Sequence, residues 1–303
     1  MQADQNSKGS CLIGIDWGTS SFRLMEIDRS GRSVMTTSNH RGLGQIENEE
    51  AIEILQGAFS AHEAEPFLMC GMIGSTLGLQ EVDYIDTPVN PITLASHLSV
   101  LRNSRLLKSS AYIVPGVRSK AGDSIDVMRG EEVQVCGWLG HHTGLEGPHL
   151  LCLPGTHSKW VTVEAGNIVQ IETALTGELY SLLTEHSVLV NGEQMDSEEA
   201  FIRGVRRGSD NPDLLRQLFS VRAEVVAGDE DPRHASSYLS GLLIGSELTS
   251  MKTPDQNLQF ISNSTLNQRY ALAANQLEIE CDCWDGVELA AHGLRLIWDL
   301  YEK

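Results

Sequence analysis

Positive charge is scarce in this 303-residue chain, where 22 Lys and Arg stand against 41 Asp and Glu for a net charge of −19. So acidic a surface repels a phosphate backbone and an anionic bilayer, which argues against nucleic-acid and membrane partners. No stretch approaches the roughly 18 consecutive apolar residues of a membrane span. The opening MQADQNSKGS lacks an apolar run of signal-peptide length. Cys11, Cys70, Cys136, Cys152, Cys281 and Cys283 are scattered, several inside apolar runs such as FLMCGMIG and LLCLPG, with none of the spacing of a small secreted disulfide frame. The Cys281-x-Cys283 pair has no second pair to complete a tetrahedral metal site. Low-complexity segments are absent as well. These absences lead us to expect a globular protein of the reducing cytoplasm. Any anionic ligand must then be held by local cations and backbone N–H groups, against the field of the whole molecule.

What is present is enough apolar sequence, 41%, for a packed core, in a chain slightly long for one ordinary domain. CLIGIDW and FRLMEID read as strands joined by the turn Gly18–Ser21, and RSVMTTS continues an antiparallel meander. NEEAIEILQGAFSAH has helical spacing, PFLMCGMIGS a buried strand breaking at glycines, and SIDVMRGEEVQVCGWLG a strand or loop entering a helix near Gly130. Strand-turn-strand signals return in HLLCLPGTHSKWVTVEAGNIVQIET, and from 177 onward the pattern is mostly helical. There is an internal echo: Gly18-Thr19-Ser20-Ser21 and Gly155-Thr156-His157-Ser158 are both G-T-x-S, each between two strands. Two related domains are the expectation.

A G-T-x-S tip offers closely spaced backbone N–H groups and hydroxyls with little bulk, a nest for an oxyanion such as phosphate; it is also simply a good hairpin turn. Asp16 favours the first reading, because a carboxylate ending a buried strand needs a partner. Mg²⁺, held directly or through its waters, would serve. Arg23 lies across the hairpin and can return positive charge to the same phosphates.

IGIDWGTSSFR resembles the first phosphate motif of the actin, sugar kinase and heat-shock chaperone superfamily, in its carbohydrate kinase branch, and LLCLPGTHSKWVTVE resembles the second. The wider set CGMIGS, VPGV, MRGEE, LPGTHSKW and TALTGELYSLLTEHSVL is similar to one family, the 2-dehydro-3-deoxygalactonokinases. The resemblance implies an α/β fold of two ribonuclease-H-like domains, 11–115 and 116–303, with ATP and a sugar acid in a central cleft and the last helix able to pack back on the first domain. It implies ATP-dependent phosphorylation of the terminal 6-hydroxyl of 2-dehydro-3-deoxy-D-galactonate in galactonate catabolism. It brings Gly18, Thr19, Ser20, Ser21, Arg23, Gly155, Thr156, His157 and Lys159 to the nucleotide, and Asp16 to Mg²⁺. Related kinases open a helix with a Gly-Asp pair whose carboxylate is the base. Here Gly130 is followed by Glu131, the first candidate, and Glu132, the second, although two acids at a helix N-terminus also simply complement its dipole. Gly71, Met72 and Ser75 fall where the sugar meets the first domain, and Thr176 and Glu178 begin a helix that either lines the cleft or is merely capped. The adenosine motif matches poorly, with Ser262 and Asn263 where small glycines are expected.

Arg129 is the cation expected at the acceptor's carboxylate, the alternative being a local salt bridge to Glu131 or Glu132. Rival readings are a kinase of the same fold for another sugar, an actin- or chaperone-like ATPase, and a silent nucleotide-binding relative. The second would need a peptide-binding or polymerising module, and the third has no evident use for Asp16, Arg23 and Glu131 together. Oligomeric state is left open, a homodimer included.

Overall fold

A computed structural model describes residues 11–106, 110–121, 124–210, 213–251 and 257–303. The chain forms two compact units: Met1–Gly147 with Val163–Ile171 and Gly286–Lys303, and Pro148–Thr162 with Glu172–Asp285. In the first, β1 (Leu12–Trp17), β2 (Phe22–Ile27) and β3 (Ser33–Asn39) form the antiparallel meander. After helix α1 (Asn48–Ala61), β4 (Phe67–Gly71) runs parallel to β1. Then come β5 (Ile85–Asp86), α2 (Pro91–Ser96), β6 (Ser99–Val100), β7 (Ala111–Ile113), the hairpin of β8 (Val117–Ala121) and β9 (Ser124–Met128), and α3 (Glu131–His141). The main sheet has the order β3-β2-β1-β4-β7-β6.

Alternation along β1 decides where Asp16 points. Ile13, Ile15 and Trp17 face one way, into a core with Ala51, Ile52, Leu55 and Phe59 of α1. Residues 12, 14 and 16 face the other way by the two-residue period of a strand. On that face a Cβ at Gly14 would lie 2.7 Å from Leu294 in the chain's last helix. All six residues of β1 are buried, as expected of a strand covered on both faces.

The second unit repeats the arrangement with β10 (Pro148–Leu153), the greater part of β11 (Ser158–Glu164), the end of β12 (Asn167–Ala174), α4 (Thr176–His186), α5 (Glu198–Asp210), α6 (Leu214–Ala227), α7 (Ala235–Met251), β13 (Asn257–Ser262), α8 (Ser264–Gln276) and β14 (Cys281–Asp285). Its sheet order is β12-β11-β10-β13-β14, and β10, β13 and β14 are parallel. In both units, then, consecutive strands joined by short turns supply one edge, and parallel strands follow on the other side, closed in the first unit by the antiparallel β6. The G-T-x-S turn sits at the first hairpin each time. The last helix, α9 (Gly286–Tyr301), belongs to the first unit. The boundary expected at 115/116 falls inside that unit. The chain beyond it still pairs there, β8 with β5, and α3 packs on α9. No helix of the described residues is long and apolar enough to cross a membrane.

Glycine sets the helix packing in both units. A Cβ at Gly137 of α3 would lie 2.0 Å from the carbonyl oxygen of Leu289, and one at Gly293 of α9 would lie 1.9 Å from that of Val133. Between α5 and α7, Cβ atoms at Gly204, Gly208, Gly241 and Gly245 would lie 1.9–2.3 Å from facing carbonyl oxygens. These spacings leave no room for a methyl group, and the obstacle is backbone. Gly241→Ala is therefore expected to cost about 1–3 kcal/mol by overpacking. Gly57→Ala, where nothing lies within 4 Å, should instead raise stability by about 0.5–1 kcal/mol through helix propensity. Chemical denaturation of both variants checks this; equal effects would mean that α5 and α7 are not held by backbone contact.

Candidate functional site

In the first unit, three backbone segments converge on Asp16. Gly71, at the end of β4, has φ +84°, and a Cβ there would lie 2.6 Å from the carbonyl oxygen of Trp17. Gly130, which precedes α3, has φ +110°; its Cβ would lie 3.2 Å from the Cα of Gly71 and 3.9 Å from Asp16 Oδ1. Both positions need glycine for conformation as well as space. Asp16 is 9% exposed, and Arg23, its partner across the hairpin, donates from Nη1 to Oδ2 at 2.7 Å. Arg23, expected at the phosphates, is thus first of all the counter-charge of Asp16. Cys70, buried beside Asp16, has its thiol pushed well up by desolvation and then by the charges of Asp16, Glu132 and Glu131, so it stays a neutral thiol.

The tip carrying Gly18, Thr19, Ser20 and Ser21 closes with a bond from Gly18 N–H to the Ser21 carbonyl, 2.9 Å. Thr19 and Ser20 are exposed. The tip's carbonyls are engaged from behind: Leu43 N–H donates to Gly18 O and Gly44 N–H to Thr19 O, both at 3.0 Å. A Cβ at Gly42 would lie 2.2 Å from Thr19 O. The RGLG stretch at 41–44 therefore shapes the tip. Sequence reasoning passed over it, although two glycines within three residues marked a close backbone approach.

Glu131 and Glu132 open α3 and meet different surroundings. Glu131 is half-buried, and its Oε2 accepts from the backbone N–H of Arg129 at 3.1 Å. Glu132 is fully buried; Oε2 accepts from Gly130 N–H at 2.6 Å, while Oε1 has no hydrogen-bond partner among the described residues. Desolvation, then the charge of Glu131, pushes its carboxyl up to about 8, against the lowering by backbone N–H groups.

The Arg129 side chain hydrogen-bonds to neither glutamate: Nη2 donates to Val82 O at 2.7 Å, and Nε and Nη1 have no acceptor among the described residues. Its Cζ lies 4.2 Å from the centroid of Tyr84. Arg129 and Ser75 line one cavity of about 560 Å³ with Tyr84 and Arg118. Ser75 Oγ donates to the carbonyl of Met72 at 2.7 Å, fixing the turn after Gly71.

The second unit gathers its own set. Glu178 N–H donates to Thr156 O at 2.8 Å, and a Cβ at Gly177 would lie 2.2 Å from Gly155 O, so the start of α4 is pressed onto the second tip. His157 Nε2 and Glu178 Oε2 are 2.5 Å apart. Lys159 is buried on β11, with Nζ donating to Thr173 Oγ1 at 2.9 Å, rather than solvated at a strand edge. Beneath the tip lies a carboxyl that sequence reasoning missed, Glu247 of α7. It accepts from Trp160 Nε1 and Tyr270 OH, each at 2.7 Å, and burial raises its pKa. A lone acid inside the apolar run YLSGLLIGSELTSM was the available signal. Gly155, Thr176, Tyr180, Leu243, Arg269 and Tyr270 border a cavity of about 360 Å³. Arg269 and Tyr270 belong to the stretch that matched the adenosine motif poorly; Asn263 caps α8 through Leu266 N–H, and Ser262 Oγ donates to Pro154 O.

A family model described as 2-keto-3-deoxy-galactonokinase matches residues 16–297. The 2-dehydro-3-deoxygalactonokinase of Escherichia coli K12 is 30% identical over 292 residues, covering 94% of this chain and 96% of its own. A crystal structure from Sinorhizobium meliloti, assigned as a 2-dehydro-3-deoxygalactonokinase protein, superposes with a TM-score of 0.85 at 30% identity over 95% of both chains. Component A of the (R)-2-hydroxyglutaryl-CoA dehydratase of Acidaminococcus fermentans gives 0.52 at 10% identity, over 97% of this chain and 100% of that one, a likeness of fold alone. The fold is that of the actin-like ATPases and sugar kinases.

Glu132 yields a pH prediction. Its folded pKa, about 8, exceeds the ordinary carboxylate value, so between roughly pH 4.5 and 8 the folded state binds the extra proton and stability falls as pH rises. Glu132→Gln removes that dependence while keeping the bond from Gly130 N–H. The stability of the variant relative to wild type should therefore grow between pH 5 and pH 8.5 in urea titrations. A constant difference across that range would show that Glu132 is not neutral in the folded protein.

Proposed function

From the premise that the chain belongs to the 2-keto-3-deoxy-galactonokinase family, and is a carbohydrate kinase using ATP and a sugar acid, we propose that it phosphorylates the terminal 6-hydroxyl of 2-dehydro-3-deoxy-D-galactonate, giving the 6-phosphate and ADP. The observation that carries this reading is the convergence of Asp16, Gly71 and Gly130, with Glu131 on the same turn. Phosphoryl transfer to an alcohol needs a carboxylate at the hydroxyl and cations on the phosphates. Glu131 is the base: its half-exposed carboxylate can meet a hydroxyl, whereas Glu132 is enclosed and protonated near neutrality. The oxygen of the 6-hydroxyl forms the new bond to the γ-phosphorus, the bond to the β-bridging oxygen breaks with its electron pair leaving on ADP, and the hydroxyl proton passes to Glu131.

Phosphate contacts fall to Gly18, Thr19, Ser20 and Ser21 and to Gly155, Thr156, His157 and Lys159. The cavity bordered by Thr176, Tyr180 and Tyr270 has the size and the apolar wall for the adenosine end. Gly71, Met72 and Ser75 are assigned to the sugar. Asp16 is the residue for Mg²⁺. Its Oδ2 is taken by Arg23, leaving Oδ1 with only a weak thiol contact from Cys70 Sγ at 3.9 Å, and no group of three metal-ligating side chains occurs among the described residues. That donor set fits an ion held chiefly by substrate phosphates and water, which is how Mg²⁺ is usually bound. When bound, Mg²⁺ neutralises charge on the transferring phosphoryl group. The unpaired cysteines support a cytoplasmic setting.

Two measurements test these roles. Glu131→Gln should lower turnover by ~10²–10⁴ with nucleotide binding nearly intact, because the amide keeps the size but cannot accept the proton. Turnover within threefold of wild type would move the base to Glu132. Asp16→Asn should demand more Mg²⁺ and slow transfer, because a neutral ligand holds the hydrated ion less strongly. A Mg²⁺ titration overlying that of wild type would make Asp16 a structural strand end paired with Arg23.

A further inference from the structure

We propose that the cavity of the first unit lined by Ser75, Thr76, Asp83, Tyr84, Arg118 and Arg129 receives the carboxylate end of the acceptor, and that Arg129, oriented by Tyr84, selects a sugar acid over a neutral sugar. The identity of the acceptor rests on the kinase reading above; the presence of a carboxylate subsite does not.

The starting point is a cation with unused donors. A guanidinium carries five N–H groups in a planar fork. Arg129 uses Nη2 on Val82 O, while Nε and Nη1 are enclosed and reach no acceptor among the described residues. Enclosed donors without partners are costly, more so on a charged group. Acids are not in short supply, at 41 in the chain. Other arginines sit on them: Arg23 on Asp16, Arg105 on Glu49, Arg233 on Asp231 and Arg295 on Asp299. Arg118, on the wall of the same cavity, is matched by Asp86. Arg129 stands two residues from Glu131 and three from Glu132, yet hydrogen-bonds to neither through its side chain. Arg129 touches Glu132 only through its field, which lowers that carboxyl's pKa against desolvation, so its hydrogen-bonding fork is left for a carboxylate that arrives with a ligand.

The surroundings hold the fork in place. The Tyr84 ring covers one face at 4.2 Å from Cζ, a geometry that favours a cation. Gly116 backs that ring closely: a Cβ there would lie 2.6 Å from Tyr84 Cε1. On the far edge, Gly74 leaves space that a Cβ would take, 2.8 Å from Nη1. Val82 O fixes the third direction. A guanidinium set in this way gives up little side-chain entropy when it meets a planar carboxylate, which is the advantage of arginine over lysine.

The rest of the wall describes the rest of the ligand. Glu81 and Asp83 line the same cavity; they repel a bare anion but accept from hydroxyls. The chemistry that satisfies all of these groups is a small molecule with a carboxylate at one end and hydroxyls along its length. At about 560 Å³ the cavity accommodates six carbons with water. Through its own backbone N–H, Arg129 is also bonded to Glu131. Carboxylate reader and base thus ride on one turn, which fixes the distance between the two ends of the acceptor.

Calorimetric titration of the full chain with the keto acid, with D-galactose, with inorganic phosphate and with ATP tests the proposal. Wild type should bind the keto acid, and Arg129→Met should weaken that binding about 10- to 150-fold, the worth of one charge-assisted contact. ATP affinity should stay within twofold, and the weak binding of D-galactose should be unchanged. Arg129→Lys should recover part of the loss, since a point charge replaces the fork. Because Arg129 also pins Val82, Gly74→Ala is the second variant. It keeps the cation and crowds Nη1, so keto-acid affinity should drop while ATP affinity holds. Keto-acid binding within twofold of wild type in both variants overturns the subsite, as does parallel loss of keto acid and ATP. Phosphate binding as tight as the keto acid's, and equally dependent on Arg129, overturns the claim for a carboxylate. A wild type that turns over no sugar acid yet shows Arg129-dependent binding keeps the subsite and sinks the kinase reading. An active enzyme indifferent to Arg129 does the reverse.

Discussion

The site depends on one steric constraint: the end of β1, the end of β4 and the start of α3 meet in the first unit where no side chain can stand between them. Gly71 leans on the carbonyl of Trp17, and Gly130 leans on Gly71 and on the carboxylate of Asp16. Because both glycines have positive φ, their segments turn sharply away from the contact. That lets a strand end in Asp16 and a helix begin with Glu131 and Glu132 within a few ångströms of each other. A side chain at either glycine would push α3, and with it both acids and Arg129, away from Asp16. Asp16, Glu131 and Glu132 are therefore placed by backbone, and the supporting contacts, from Leu43 and Gly44 to the first tip, are backbone too.

The second consequence concerns charge. A chain of net charge −19 that binds two anionic substrates must keep its few cations where they count. The cations near the motifs occupy three different states. Arg23 is neutralised by Asp16, so it is a local dipole as much as a free charge. Lys159 is buried against Thr173. Arg129 alone of these three has enclosed donors without acceptors. The order follows from desolvation: a cation already matched by a carboxylate offers an incoming anion little, while an unmatched one offers its whole interaction. Backbone N–H groups at the tips would complement this under the proposed assignment, because such groups attract an oxyanion without adding a charge that neighbouring acids would capture.

Much of this was legible in the sequence, because it was local. The strands of the meander, the helix opening at Gly130 and both G-T-x-S tips are written in apolar period and glycine placement over a dozen residues or fewer. The contacts that were not legible are long-range. Nothing near Arg129 says that its guanidinium meets Val82 and Tyr84, some 47 positions away along the chain. Nothing near Gly147 says that the chain changes units there, since α3 is held in the first unit by α9 from the opposite end of the sequence. The glycines of α5 and α7 are intermediate. Gly204-x-x-x-Gly208 and Gly241-x-x-x-Gly245 carry the spacing of close helix contact, but only the pairing of the two helices turns four glycines into an interface.

Adjacent glutamates at one helix start show how a fold divides roles that sequence treats alike. In sequence Glu131 and Glu132 are interchangeable candidates, each able to complement the helix dipole. A step of about 100° around the helix separates them. It leaves Glu131 half-exposed and turns Glu132 toward Cys136 and Cys70, both buried. Desolvation then keeps Glu132 protonated close to neutral pH. A second negative charge one residue from the first would raise the proton affinity of both and repel the phosphates. With Glu132 neutral, the turn presents a single carboxylate beside Asp16 and an unmatched arginine two residues before it. That set suits a reaction in which one proton is accepted and one carboxylate is held.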